Sequence, residues 1–264
     1  MTSAARPTAF VMVSTAHGTM LVNRHDYRLV KGGGVGVGFQ LLQRSVYDPD
    51  EVDIAVKLLQ LRRQYFGDGV VAIDCGANIG VHTIEWAKAM HGWGEVLAFE
   101  AQERIFYALA GNITMNNCFN ARAVWAAVGA QDGTIRVPLP NYLVPSSFGS
   151  LEIRKRETTE FIGQEIDYAD GHGVETRLLA LDGLSPERLD FLKIDVEGME
   201  LEVLKGADET LRRCRPQVIV EAIKSDEAAL RDRLGALGYQ VFPMGGNLLA
   251  LHEADPGLTQ IRVT

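Results

Sequence analysis

Val70 to Gly80, reading V-V-A-I-D-C-G-A-N-I-G, constrains the fold of this chain more than any other stretch. An apolar run ends in Asp74, Gly76 and Gly80 follow, and an amphipathic stretch runs from Val81 to Met90. The pattern predicts a buried strand that breaks into a tight turn and re-enters as a helix. Glycines let the backbone turn sharply and approach a ligand closely, and a helix start offers free N–H groups. The acid at the strand's end changes the ligand. It repels a pyrophosphate but accepts hydrogen bonds from an ammonium or a ribose hydroxyl. The dinucleotide fingerprint carries three glycines and no acid at this turn, whereas this chain has D-x-G-x-x-x-G. A second acid, Glu100, ends the apolar run Glu95 to Phe99, 26 residues after Asp74. A carboxylate there can hold both hydroxyls of a ribose.

The surrounding sequence repeats the strand-and-helix rhythm. Strands are expected at Val70–Asp74, Val96–Glu100, Arg122–Val128, Phe191–Asp195 and Gln217–Glu221. Helices are expected at Ile79–Met90, Glu103–Asn116, Glu197–Ala207 and Ser225–Leu237. That alternation reads as a parallel, doubly wound sheet. Tyr239–Pro243 and Asn247–His252 read as a closing hairpin on the sheet edge, turning at Gly245–Gly246. Residues 1–50 read as a β-rich lead-in with short strands at Gly18–Asn23 and Tyr27–Lys31. The run K-G-G-G-V-G-V-G, residues 31–38, lacks the G-K-[ST] ending of a phosphate loop and reads as a flexible surface loop. Asp48, Pro49 and Glu51 suit the start of a helix over Asp50–Phe66, with Asp48 as its cap. Between Gly129 and Thr176 the rhythm lapses into short β-like runs, Thr134–Leu139 and Phe161–Ile166, read as a hairpin insertion.

Ligands of open α/β sheets bind beyond the carboxyl ends of the strands. Four expected strands end there with an acid: Asp74, Glu100, Asp195 and Glu221. Such a set repels itself unless a cation compensates, and a ligand with an ammonium, a sulfonium and a ribose supplies both cations and hydroxyl donors. Strand alternation puts Lys193 on the same face as Asp195, where an ion pair with Asp195, Glu197 or Asp74 is the expected use of a buried lysine. Glu197 follows at the strand-to-helix turn, facing the reacting centre or simply favoured by the helix dipole. His82, in the first turn of its helix, is a candidate base near neutral pH or a packed side chain. The basic run Arg154-Lys155-Arg156 reads as a solvated loop.

At these residues the chain resembles the FkbM-like family of S-adenosylmethionine-dependent methyltransferases, of the class I methyltransferase fold. The resemblance rests on I-D-C-G-A-N-I-G-V-H-T (73–83), V-L-A-F-E-A (96–101), N-I-T-M-N-N (112–117), the long D-F-L-K-I-D-V-E-G-M-E-L-E-V-L-K-G-A (190–207) and P-Q-V-I-V-E (216–221). It spans roughly residues 47 to 252. One departure is Ala101, where the family usually has proline. The resemblance implies an α/β fold: a Rossmann-like, doubly wound, mostly parallel seven-stranded sheet with an antiparallel C-terminal edge hairpin. The small β-rich extension (1–50) would precede a methyltransferase domain (51–264) carrying the insertion at about 129–176. It further implies that Asp74, Gly76, Ala77, Asn78 and Gly80 line the methionine and sugar part of S-adenosylmethionine. Glu100 and Ala101 would lie at the ribose, Ala126 and Ala127 near the adenine, and Asp195 at the amino-acid end or the transferred methyl. The implied reaction is O-methylation of a hydroxyl on a sugar or secondary metabolite, yielding S-adenosylhomocysteine. Asp195 would position, Glu197 or Glu221 would accept the proton, and His82 is a further candidate.

A magnesium ion shared by Asp195 and Glu221 lacks an evident third ligand, so no metal is expected. A nicotinamide-dependent oxidoreductase and a non-catalytic cofactor-binding module are the rival classes. The net charge of −8 over 264 residues disfavours nucleic acid or an anionic membrane as partner. No apolar run suits a membrane span or a signal peptide. The three cysteines, Cys75, Cys118 and Cys214, make no disulfide framework, which suggests a cytoplasmic setting. The partner expected is a small-molecule acceptor; a homo-oligomer is left open.

Overall fold

The computed structural model describes residues 6–169 and 171–260. A lead-in comes first: β1 (Phe10–Thr15), β2 (Gly18–Asn23), β3 (Arg28–Val30), β4 (Gly33–Val35) and α1 (Val37–Arg44). Then follow α2 (Pro49–Phe66), β5 (Val70–Cys75), α3 (Val81–Ala89), β6 (Gly94–Glu100), α4 (Glu103–Met115), β7 (Ala121–Trp125), β8 (Ala127–Val128), β9 (Gly133–Val137) and β10 (Val174–Leu179). The remainder is α5 (Leu181–Leu184), β11 (Phe191–Ile194), α6 (Glu200–Lys205), α7 (Asp208–Cys214), β12 (Gln217–Glu221), α8 (Glu227–Ala236), β13 (Tyr239–Met244) and β14 (Asn247–His252).

The central sheet has seven strands in the order β13-β14-β12-β11-β5-β6-β7. β12, β11, β5, β6 and β7 run parallel, and the β13–β14 hairpin closes one edge antiparallel. The winding therefore reverses between β5 and β11, and a crevice opens at their carboxyl ends.

Side-chain parity decides what that crevice contains. Val70 and Ala72, Val96 and Ala98, Phe191, Ile219, Leu249 and Leu251 pack into the core under α2, α3 and α4. Their alternates, Ile73, Cys75, Phe99, Leu192, Ile194, Val218, Val220 and Leu248, pack into the other core under α6, α7 and α8. Successive side chains of a strand alternate faces. Asp74, Glu100, Asp195, Glu221 and Asn247 share the parity of the first set, so they leave the sheet on the α2–α4 side.

The lead-in sits on that same side. Asn112 of α4 is fully buried and accepts from the backbone N–H of Leu21 (2.5 Å) while donating to the carbonyls of Leu21 and Ile79. Asp26 accepts from the N–H groups of Gly38 (2.8 Å) and Phe148 (3.0 Å), tying the lead-in to the 146–151 segment.

Several elements depart from the sequence pattern. β1 is an additional strand, paired along its length with β2. Residues 31–38 are not a loose loop: β4 pairs with β3, and α1 begins at Val37. The three-residue β4, Gly-Gly-Val, carries no alternation to read. The expected strand Arg122–Val128 divides at Ala126, leaving β7 in the main sheet and β8 beside β10 in a small sheet with β9. Phe161–Ile166 forms no strand. The helix expected at Glu197 starts at Glu200, because the Glu200 carboxylate accepts from the N–H groups of Val196 and Gly198 and holds 196–199 as a turn. Asp48 occupies the cap position of α2 in a left-handed conformation, yet its side chain makes no capping bond.

Gly76 shows why the crevice needs glycine. Its φ is +82°, and a Cβ there would lie 1.7 Å from the carbonyl oxygen of Asp195. Gly92 has a similar φ of +80° with nothing within 4 Å of the built position. Gly92→Ala should cost about 1 kcal/mol for the left-handed backbone alone. Gly76→Ala should cost about 3 kcal/mol or more, because main chain must also move. Denaturant unfolding of the two variants measures the difference; equal costs would show that β5 and β11 part without penalty.

Candidate active site

The acids end four strands that are consecutive in the sheet, β6, β5, β11 and β12, and all four line one cleft of about 770 Å³. Val35, Val37, Gln40 and Tyr47 of the lead-in and Ser147, Gly149, Ser150 and Leu151 of the long 138–173 connection roof it, and the Met244–Asn247 turn walls one end.

Asp74 is buried, and its Oδ2 accepts from Thr83 Oγ1 (2.6 Å) while Oδ1 has no partner. Burial raises its pKa, opposed by Lys193 and Thr83. Asn78, in a left-handed conformation (φ 50°), points its backbone N–H at Glu100 Oε2 (3.0 Å). Glu100 Oε1 accepts from the N–H of Gln102 (2.7 Å). Burial outweighs these bonds and pushes the Glu100 carboxyl up to about 7. The glycine turn and the second acid are thus one unit.

Lys193 lies at the centre. Its Nζ donates to Asp195 Oδ2 (2.8 Å), and it pairs in register with Asp74. Burial alone would lower its pKa, but Asp195, Asp74 and Glu51 together hold it raised, so it stays charged. Glu197, forced to φ 57°, accepts from Lys224 Nζ (2.5 Å). Lys224 also donates to the carbonyl of Ser150 and reaches Glu160, pinning the roof to the site. Glu221 Oε2 is buried without a partner. Burial, then Asp195 and Glu200, pushes Glu221 up to about 8.

Asp195, Glu197 and Glu221 each bring an oxygen within 4.8 Å of the others. That spacing supplies the third oxygen ligand which the sequence did not reveal. Lys193 and Lys224 already neutralise two of the three.

Of the residues singled out in the sequence, Asp74, Gly76, Ala77, Asn78, His82, Glu100, Ala101, Ala126, Ala127, Asp195, Glu197 and Glu221 all line the cleft. Gly80 does not; it turns the chain into α3 with φ +93° and packs against Leu109. His82 is buried, its pKa held well below the usual range by burial and then by Lys193 and His17. Its Nε2 lies 3.5 Å from Glu51 Oε1, and its Nδ1 is sealed without a partner. Arg154 and Arg156 pair with Glu202 and Glu152 rather than facing the cleft. Tyr47, Glu51, Gln102 and Asn247 are site residues that sequence patterns did not signal. They come from segments far apart in the chain, with no motif of their own.

The chain belongs to the FkbM methyltransferase family: residues 74–241 match the family's methyltransferase FkbM domain. It is 29% identical over 184 residues to methyltransferase sdnD of Sordaria araneosa, covering 62% of this chain and 70% of that one. It is 26% identical over 190 residues to methyltransferase 1 of Beauveria bassiana, covering 67% and 74%. The crystal structure of methyltransferase FkbM from Methylobacillus flagellatus aligns with a TM-score of 0.46 and 18% identity, over 73% of this chain and 48% of that chain. The chain thus spans about half of that structure. No helix among the described residues is long and apolar enough to cross a membrane.

The Glu100 carboxyl, raised above its unfolded value, holds its proton longer in the native state than in the unfolded one. Stability therefore falls as pH rises from the ordinary carboxylate range through about 7. Relative to Glu100→Gln, the wild type should lose roughly 2 kcal/mol between pH 5 and pH 8. Parallel denaturation curves at the two pH values check this; a constant difference would mean that Glu100 titrates normally.

Proposed function

We propose that this methyltransferase uses S-adenosylmethionine to O-methylate a hydroxyl of a small-molecule acceptor, a sugar or a secondary metabolite. The observation that carries the reading is the convergence of Asp74, Glu100, Asp195 and Glu221 on one cleft, with Asp74 Oδ1 and Glu221 Oε2 each lacking a partner.

The residues fit this cofactor. The unpartnered Asp74 oxygen suits an ammonium donor. The Glu100 carboxylate keeps lone pairs for two hydroxyls beside those taken by Asn78 and Gln102. A cleft of about 770 Å³ has room for a nucleoside-amino acid and part of an acceptor. We assign Asp74, Gly76, Ala77 and Asn78 to the amino-acid end, Glu100 and Ala101 to the ribose, and Ala126 and Ala127 to the adenine. Gly80 acts by starting α3. The division into an extension (1–50) and a catalytic domain (51–264) accords with a roof contributed by residues 35–47.

When bound, the cofactor supplies a methyl group activated on a sulfonium. The protein's own work is alignment and proton acceptance. Asp195, fixed by Lys193, orients. Glu221 accepts the hydroxyl proton from its ionised form: a carboxylate whose conjugate acid titrates at about 8 is basic enough to take and keep that proton. Glu197 is committed to Lys224 and acts as a wall. His82 is the weaker base, because burial and Lys193 hold its pKa well below the usual range and its Nε2 faces Glu51.

S-adenosylhomocysteine at about 100 times its Kd should add roughly 2.7 kcal/mol of stability, while NAD and NADP add none. Glu100→Ala should lose at least tenfold in that affinity; wild-type affinity would remove Glu100 from the ribose. Once an acceptor is found by screening hydroxylated compounds, Glu221→Gln should lower turnover about 10²- to 10⁴-fold, and undiminished turnover would remove Glu221 as base. Activity should survive EDTA. Its loss, with recovery on adding magnesium, would give Asp195, Glu197 and Glu221 to a metal. Cofactor binding without turnover on any acceptor would favour a non-catalytic module.

A further inference from the structure

Glu51 stands three residues after Asp48, where a capping-box acid would turn back onto the helix start. It turns into the cleft instead. Its Oε2 accepts from Asn247 Nδ2 (2.6 Å), and its Oε1 faces His82 Nε2 at 3.5 Å. Asn247 is the register partner of Glu221 across the β12–β14 pairing, and opposite residues of a ladder share a face. Glu51 and Glu221 therefore flank one chamber, with the Asn247 amide between them. Since Nδ2 of that amide donates to Glu51, its Oδ1 is left as a further acceptor.

The charge of this chamber is unbalanced. Asp48, Glu51, Glu197 and Glu221 line it, and among the described lining residues Lys193 is the one lysine or arginine. Its ammonium is bonded to Asp195, while Lys224 is bonded to Glu197. His82, the neighbour of Glu51, is held neutral. Glu51 and Glu221 thus face the acceptor space with no lysine or arginine bonded to either; Lys193 acts on both, and Lys224 on Glu221, only at longer range. Crowded, half-dehydrated carboxyls keep their protons until a positive charge joins them, and a cation that does so favours the ionised form. A phosphorylated or carboxylated acceptor would be repelled. A neutral diol would donate hydrogen bonds but leave the charge uncompensated. A divalent ion would have to draw Asp195 and Glu197 away from their lysines.

Building on the O-methyltransfer reading above, we propose that the acceptor is an amino alcohol. It presents a protonated amine beside the hydroxyl that is methylated, and Glu51 with Asn247 receives the amine. This makes Glu51 the residue that sets acceptor specificity. The bound ammonium also favours the ionised form of Glu221, which readies that carboxylate to take the hydroxyl proton.

The test is calorimetric titration of the enzyme loaded with S-adenosylhomocysteine. The probes are three matched pairs: glucosamine and glucose, 2-aminocyclohexanol and cyclohexane-1,2-diol, 2-amino-1-phenylethanol and 1-phenylethane-1,2-diol. Glucose 6-phosphate and magnesium chloride are further arms. In at least one pair the amine should bind tenfold or more tighter than the diol. That preference should fall below threefold in Glu51→Gln and shrink in Asn247→Ala, with the folding of each variant checked by its thermal transition. The proposal is overturned if a diol or the phosphate binds as tightly as every amine, if no amine binds, or if the preference survives in both variants. Magnesium binding that competes with the amine would assign the chamber to a metal and overturn it too. Failure of S-adenosylhomocysteine to bind at the outset would instead overturn the cofactor assignment beneath it.

Discussion

The buried ammonium of Lys193 is the interaction on which the rest of the site depends. It lies inside the central strand β11, only 4% exposed, bonded to Asp195 and in register with Asp74. Without it, the carboxylates of Asp74, Asp195 and Glu51 would face one another in a poorly solvated crevice. Removing one partner from such a buried set leaves uncompensated charge, which typically costs about 3 to 5 kcal/mol. The lysine also sets the balance of the cleft. Its direct bond goes to Asp195 at the centre, while Glu51 and Glu221 feel it only at longer range.

Around that charge the sheet supplies geometry. Parity sends every strand-end acid to the face covered by α2, α3 and α4, so the cleft opens beneath the lead-in rather than beneath α6–α8. Gly76 lets the ends of β5 and β11 touch, which brings Asp74 and Asp195 within reach of one lysine. The roof is then tied down from both sides. Asp26 joins the lead-in to residue 148, and Lys224 joins Ser150 and Glu160 to Glu197. The Gln102 side chain donates to the carbonyl of Phe148 (2.9 Å), and its backbone N–H donates to Glu100. The roof and Glu100 are therefore mechanically continuous.

Much of this was legible beforehand. The apolar runs ending in Asp74, Glu100, Asp195 and Glu221 marked the carboxyl edge, because a buried parallel strand must stop being apolar where it meets solvent or ligand. The same rhythm predicted the parallel core and the closing hairpin. The β3 strand was read at Tyr27–Lys31, but the β4–α1 segment was not legible, since its glycines suppress the periodicity that identifies strands and helices. The break at Ala126 was hidden for another reason: β7 and β8 are both apolar, and only their different partners separate them. Asp48, Pro49 and Glu51 read as a helix start from local propensity, and α2 does start there; what local propensity missed is that Glu51 bonds Asn247 across the cleft and that Asp48 makes no capping bond.

The sequence by itself determined the α/β rhythm, the acid-headed glycine turn and the family to which the chain belongs. Those features are encoded within single elements or single turns, where spacing along the chain equals spacing in space. Only the tertiary structure decided that Glu197 is taken by Lys224 and that Glu51 meets Asn247 196 residues away. Such pairings depend on which strands become neighbours and on which face each side chain leaves, and no local pattern carries that information.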